Sequence, residues 1–115
     1  MHELSLAQSI IGIVENNVPL EKQNKIQKVQ LQIGVLSGIE IDALNFSYDI
    51  LKEDTEFSKS ILEIEMISGE GSCNECLHTF EYNSYGTACP HCGSYNINIL
   101  SGREMKIKGI ALDTE

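Results

Sequence analysis

The chain has four cysteines, and all of them fall within residues 73–92, CNECLHTFEYNSYGTACPHC. Cys73 and Cys76 form one CxxC and Cys89 and Cys92 a second, with twelve residues between the pairs. A CxxC turn aims two sulfurs at one centre, and two facing turns supply the four thiolates that a tetrahedral Zn²⁺ takes at about 2.3 Å. Four such ligands fill the coordination sphere of a d¹⁰ ion and leave no position for an activated water, so the centre would be structural. The segment is too short to own an apolar core, and metal binding would supply most of its folding free energy, on the order of 10 kcal/mol. Pro90 and Gly93 fit the tight turn of the second pair, where a residue free to take positive φ is useful. A redox-active dithiol would need only one CxxC, and structural disulfides are rare in a reducing compartment. His78, two residues beyond Cys76, and His91, inside the second CxxC, flank the site. Each reads first as a solvated loop residue, and otherwise as an imidazole that replaces a thiolate or responds to pH beside the metal.

A second chemistry sits at the extreme N-terminus, Met1-His2-Glu3. A free α-amine, the imidazole of His2 and the intervening backbone nitrogens can reach one ion in a plane, an arrangement suited to Ni²⁺ or Cu²⁺. The first N–H groups of a helix have no intrahelical partner, so deprotonating the amides of His2 and Glu3 for metal binding breaks no helix bond. The positive helix end opposes a cation, but two amidates and Glu3 would offset it. Any chain beginning Met-His shows this pattern, and a frayed, solvated terminus is the competing reading. The sequence has no Gly-rich phosphate loop, GxSxG or HExxH, so it is not expected to be an enzyme.

Seventeen Asp and Glu against eight Lys and Arg give a formal charge of -9, which argues against a protein whose affinity rests on neutralising phosphates, and no nucleic-acid partner is expected. The N-terminus lacks the basic region of a signal peptide, and no apolar run approaches the roughly eighteen residues of a membrane span. The expected location is cytoplasmic, with no membrane association.

These chemistries need elements to hold them. Leu4, Ala7, Ile11 and Val14 recur at helical spacing over residues 3–16, with Leu6, Ile10 and Ile13 widening the stripe, and Asn16, Asn17 and Pro19 ending it. Residues 29–35 alternate, with Val29, Leu31, Ile33 and Val35 on one face and Gln30 and Gln32 on the other, and Leu36-Ser37-Gly38 forms the exit turn. A second helix is predicted over 41–53, where Ile41, Leu44, Tyr48 and Leu51 share a face that Phe46 and Ile50 broaden. Leu62, Ile64 and Met66 alternate with Glu63 and Glu65 in a second strand that stops at Ser68-Gly69. Phe80 with Tyr82 and Ile97 with Ile99 read as strands of a small ribbon around the metal. Residues 103–112 form the last strand, in which Gly109 marks a bulge or close approach.

The expected fold class is therefore α+β: two helices packed on a three-stranded mixed sheet, with an inserted zinc-ribbon module. The core would comprise 1–70 plus 101–115, and the module 71–100.

The terminal MHELSLA leading into a helix, the strand VQLQIGVLSGIE, the helix LNFSYDIL, the knuckles CNEC and CPHC, and the closing SGREMKIKGIAL together resemble the hydrogenase nickel-incorporation protein of the HypA/HybF family. The resemblance covers nearly the whole chain. It implies a cytosolic metallochaperone that delivers Ni²⁺ during maturation of [NiFe]-hydrogenase and, in some bacteria, supports urease. It implies a nickel site at Met1 and His2 with backbone nitrogens nearby, Glu3 supporting nickel handling and partner binding, and structural zinc on Cys73, Cys76, Cys89 and Cys92. The partners implied are a nickel-handling GTPase, the hydrogenase large subunit and, where urease is served, a urease accessory protein, with the chain a monomer or homodimer. The rival reading is a zinc-ribbon adaptor for a protein or nucleic-acid partner.

Overall fold

The computed structural model describes residues 3–113. Helix α1 spans Glu3–Asn17, a four-residue α2 spans Leu20–Gln23, and strand β1 runs Ile26–Gly34. Helix α3, Ile41–Leu51, runs into a 3-10 turn at Lys52–Asp54, and β2 follows at Ile61–Ile67. Short strands β3 (Glu70–Cys73), β4 (Thr79–Glu81) and β5 (Ile97–Ser101) precede the last strand, β6 (Met105–Leu112).

The strands form two three-stranded sheets, ordered β2-β1-β6 and β4-β3-β5. The first is mixed, as its bonds reveal. Lys28 and Gln30 both reach Glu63, Gln32 reaches Glu65, and the Val35 N–H donates to the Ile67 carbonyl, so partners advance together along β1 and β2, which are parallel. At the other edge the Gly34 N–H donates to the Glu104 carbonyl and the Asp113 N–H to that of Lys25, which makes β1 and β6 antiparallel. The second sheet is antiparallel throughout, with Gly71 opposite Phe80 and Cys73 opposite Ile97.

The chain divides into two compact units. One holds the residues up to Leu31, Ile39–Ile64, and those from Ile107 on; the other holds Gln32–Gly38 and Glu65–Lys106. In the first, α1 packs on α3, burying Ala7, Ile10 and Val14 of α1, at helical spacing, and Leu44 and Tyr48 of α3. Along β1 the alternation holds, with Val29, Leu31 and Ile33 all buried. After α3 the chain is pinned by polar contacts. The Thr55 hydroxyl donates to the Lys52 carbonyl, Phe57 is buried, and Ser60 is buried with its hydroxyl bonded to both the Phe57 carbonyl and the Tyr48 phenol.

The structure narrows several sequence expectations. Leu4 and Ile13 of α1, and Phe46 and Ile50 of α3, are exposed, Phe46 by 68%, because each helix buries only one narrow stripe against its neighbours. Val35 lies past the end of β1, and it and Met66 are also exposed. Pro19 does end α1, but it also caps α2, since its fixed φ of -56° suits a helix start. Buried Gln23 then secures that short helix by donating from its side-chain amide to the Val18 carbonyl at 3.0 Å.

In the second unit, backbone crosses backbone at glycines. A Cβ at Gly34 would run into the Gly102 carbonyl, and one at Gly69 into the Tyr82 carbonyl. Tyr85 donates its phenol to the Leu36 carbonyl at 3.0 Å and accepts from Arg103 Nε at 3.2 Å, tying the exit turn of β1 to the later chain of that unit.

Candidate metal centre

The β4-β3-β5 sheet ends at the cysteines. Cys73 is the last residue of β3, where pairing with Ile97 of β5 fixes its backbone, and it is fully buried. The chain then turns so that the Leu77 N–H donates to the Cys73 carbonyl at 2.9 Å and the Cys73 N–H to the His78 carbonyl at 2.9 Å. The second knuckle repeats this turn. The Gly93 N–H donates to the Cys89 carbonyl at 2.9 Å and the Cys89 N–H to the Ser94 carbonyl at 2.8 Å. Each turn needs a left-handed residue after its second cysteine. Gly93, at φ 80°, takes that conformation without steric cost, whereas Leu77, at φ 67°, takes it against its Cβ.

The two turns bring Cys73, Cys76, Cys89 and Cys92 together, with every Sγ within 4.8 Å of the others. Cys73 Sγ lies 3.5 Å from Cys92 Sγ, and Cys76 Sγ 3.6 Å from Cys89 Sγ. No pair forms a disulfide. Four sulfurs held about 2.3 Å from a tetrahedral ion stand about 3.8 Å apart, so the cage has the size and the donor set of a closed Zn²⁺ site. Backbone N–H groups of Glu75 and Cys76 point at Cys73 Sγ, and that of His91 at Cys89 Sγ, as thiolate acceptors require.

The electrostatics of the four thiols point the same way. The Cys76 N–H beside it, with that of Glu75, lowers the Cys73 thiol to about 6 despite burial. The Ser94 N–H favours the Cys92 thiolate, but Cys73, burial and the other two thiols outweigh it and push that thiol up to about 12. Cys89 is lowered, because N–H groups of Cys92 and His91 and the Cys76 thiol overcome burial. Cys76 is raised, because burial and the thiols of Cys89 and Cys73 overcome the His78 N–H. Anions this close repel, and a dication at the centre removes the conflict.

His78 and His91 are brought side by side, rings stacked with centroids 4.0 Å apart and planes 18° from parallel. His78 Nδ1 lies 3.3 Å from Cys76 Sγ, yet among the described residues the ligand group consists of the cysteines. Nothing in the spacing of the two histidines signalled the stack. Asn74 and Asn96 brace the first knuckle through both a backbone bond and a side-chain bond, each 3.0 Å.

Of the N-terminal trio, Met1 and His2 lie outside the described residues, and Glu3 opens α1. Its carboxylate accepts a hydrogen bond from the backbone N–H of Glu40 at 2.9 Å, a partner that no sequence signal indicated.

A family model described as hydrogenase/urease nickel incorporation, metallochaperone, HypA matches residues 1–112. The hydrogenase maturation factor HypA of Parabacteroides distasonis is 38% identical over 115 residues, covering all of both chains. The solution structure of the nickel metallochaperone HypA from Helicobacter pylori is similar at a TM-score of 0.67 and 27% identity, again over the whole of both chains. A second solution structure, of a HypA protein, is similar at a TM-score of 0.71 and 29% identity, covering 100% of this chain and 98% of the other.

Proposed function

The chain belongs to the HypA family of hydrogenase and urease nickel-incorporation metallochaperones, and from that premise we propose that it carries Ni²⁺ as cargo on its N-terminus and releases it to a [NiFe]-hydrogenase under maturation, or to urease. The ligands are the α-amine of Met1, the imidazole of His2 and the backbone nitrogens of His2 and Glu3, a planar nitrogen set that selects a d⁸ ion. Zinc on Cys73, Cys76, Cys89 and Cys92 closes the ribbon of 71–100 and takes no part in transfer, while 1–70 with 101–115 carries the cargo. When bound, the zinc supplies a redox-inert cross-link.

The observation that carries the reading is the family match across residues 1–112, which takes in the Met-His-Glu terminus and both CxxC pairs at once. The thiolate cage supports it, since a fully occupied coordination sphere leaves transport to another site. The protein makes and breaks metal–ligand bonds only and is not an enzyme. It works in the cytoplasm, with a nickel-handling GTPase, the hydrogenase large subunit and, where urease is served, a urease accessory protein as partners, and as a monomer or homodimer. No helix among the described residues is long and apolar enough to cross a membrane. The charge of -9 is unfavourable for nucleic acid, and no feature favours the zinc-ribbon adaptor as a second reading.

One added residue before Met1 tests the assignment, because it displaces the terminal amine and alters nothing else. Stoichiometric Ni²⁺ binding should vanish while zinc content and circular dichroism stay native. Unchanged nickel affinity in the extended chain would reject an N-terminal site.

A further inference from the structure

We propose that a cleft at one end of the β2-β1-β6 sheet binds the phosphate group of a small ligand. It shares no residue with either metal site. Because β1 and β2 are parallel and β6 runs against them, the starts of β1 and β2 and the finish of β6 meet at one end of the sheet, within the first unit. The cleft there holds about 400 Å³ and is lined by Asn24, Lys25, Ile26, Gln27, Lys59 and Asp113. That size is ordinary for a small-molecule site.

Asn24, Lys25, Gln27 and Lys59 all offer N–H donors, and the two lysines are charged. Elsewhere Lys28 pairs with Glu63, Lys52 pairs with Asp49, and Arg103 lies over the Tyr85 ring. Among the described residues the ammonium groups of Lys25 and Lys59 have no such partner, and the side-chain amides of Asn24 and Gln27 make no hydrogen bond. Both lysines stand on fixed backbone. The Lys25 N–H donates to the Lys22 carbonyl at 3.0 Å, its carbonyl accepts from the Asp113 N–H at 2.7 Å, and buried Ile26 follows. Lys59 precedes buried Ser60, whose N–H donates to the Phe57 carbonyl at 3.0 Å. Two ammoniums against the one carboxylate of Asp113 leave the lining net positive on a chain of charge -9. That overall charge acts over only about 8 Å at physiological salt, so the local groups decide the binding of a small anion. Two cations flanked by neutral amide donors match a dianion that offers only acceptors, which a phosphate is and a single carboxylate is not.

The probe is inorganic phosphate, titrated at constant ionic strength into isotope-labelled, zinc-loaded protein in a phosphate-free buffer, with backbone amide shifts as the readout. Lys25→Gln and Lys59→Gln each remove one charge and keep most of the stem. Both side chains are exposed and unbonded, so the fold is retained, and circular dichroism checks it. Acetate supplies a singly charged carboxylate for comparison. Adenosine monophosphate beside adenosine asks whether the phosphate arrives bare or on a nucleoside.

Phosphate should shift the amides of Asn24, Lys25, Gln27 and Lys59 along one saturating curve, with a Kd on the order of 1 mM. Each single variant should bind about fivefold more weakly, and the double variant should not saturate. The amides of Lys22 and Lys106, exposed lysines outside the cleft, should stay in place. Adenosine monophosphate binding tighter than phosphate assigns the site to a nucleotide, and binding no tighter assigns it to the bare group. Shifts that persist in the double variant, that spread equally to Lys22 and Lys106, or that acetate reproduces at the same concentration would overturn the proposal. So would adenosine acting as strongly as its monophosphate, or no shift at phosphate concentrations well above the expected Kd.

Discussion

The first unit contains a buried polar chain whose energetics follow from its geometry. Tyr48 and Ser60 are both fully buried, their oxygens 2.6 Å apart, and the Ser60 hydroxyl also lies 2.6 Å from the Phe57 carbonyl. The carbonyl can only accept, so the single Ser60 proton goes to it and the Tyr48 phenol donates to Ser60 Oγ. Tyr48→Phe removes one donor and leaves the Ser60 proton satisfied, and should cost about 1 kcal/mol. Ser60→Ala orphans one buried group, the phenol O–H, since the residue 60 backbone N–H still donates to the Phe57 carbonyl at 3.0 Å, and should cost about 2–3 kcal/mol. In the double variant the phenol O–H is gone and neither group is orphaned, so its cost should fall below the sum of the singles by about 1 kcal/mol. Urea denaturation of the zinc-loaded proteins measures all three, with an unchanged denaturant slope as the check that only stability has moved. Strict additivity, or a Tyr48→Phe as costly as Ser60→Ala, would refute the assigned direction of donation.

Cys89→Ser should lower zinc content and increase amide exchange around the knuckles, while α1 and α3 keep their protection; full zinc retention would contradict the four-thiolate cage. Leu77→Gly should slow zinc loss to a chelator, because removing the Cβ from a left-handed residue relieves about 1 kcal/mol; faster loss would mean that the leucine side chain holds the knuckle. Zinc binding should release about two to three protons near neutral pH, since Cys92, near 12, and Cys76 are raised while Cys73 is already low, at about 6. Affinity should therefore weaken on acidification, and the release should rise further below about 6 as Cys73 becomes protonated too. Calorimetry in buffers of different ionisation enthalpy reads the count, and a release that stays constant from neutral pH down through that range would refute the uneven thiols.

Much of this was legible in the sequence where periodicity or spacing carries information. Alternation in VQLQI marked β1, helical recurrence of Ala7, Ile10 and Val14 marked α1, and the paired CxxC marked the cage. What escaped was decided by partners far away in sequence. Strand β3, Glu-Gly-Ser-Cys, has no apolar alternation and exists because β4 and β5 pair with it on both sides. Gly69, which reads as the stop of the second strand, is a crossing position where a Cβ would run into the Tyr82 carbonyl. Phe46 and Ile50 have the period of a buried face but sit on an exposed side of α3, which periodicity alone cannot tell. At the candidate sites the ligand types were readable, whereas the stacking of His78 on His91 and the reach of Glu3 to the Glu40 N–H depend on folding.

We propose that cargo and scaffold metals occupy opposite kinds of site: an open set of nitrogens at the N-terminus and a closed set of sulfurs in the ribbon. Calorimetric Ni²⁺ titration of untagged, zinc-loaded protein beside its His2→Ala variant tests it most directly. Nickel should bind stoichiometrically in the wild type and not at all in the variant, with four-sulfur zinc in both. Equal nickel binding by the two proteins, or nickel that enters only as zinc leaves the cysteines, would contradict it.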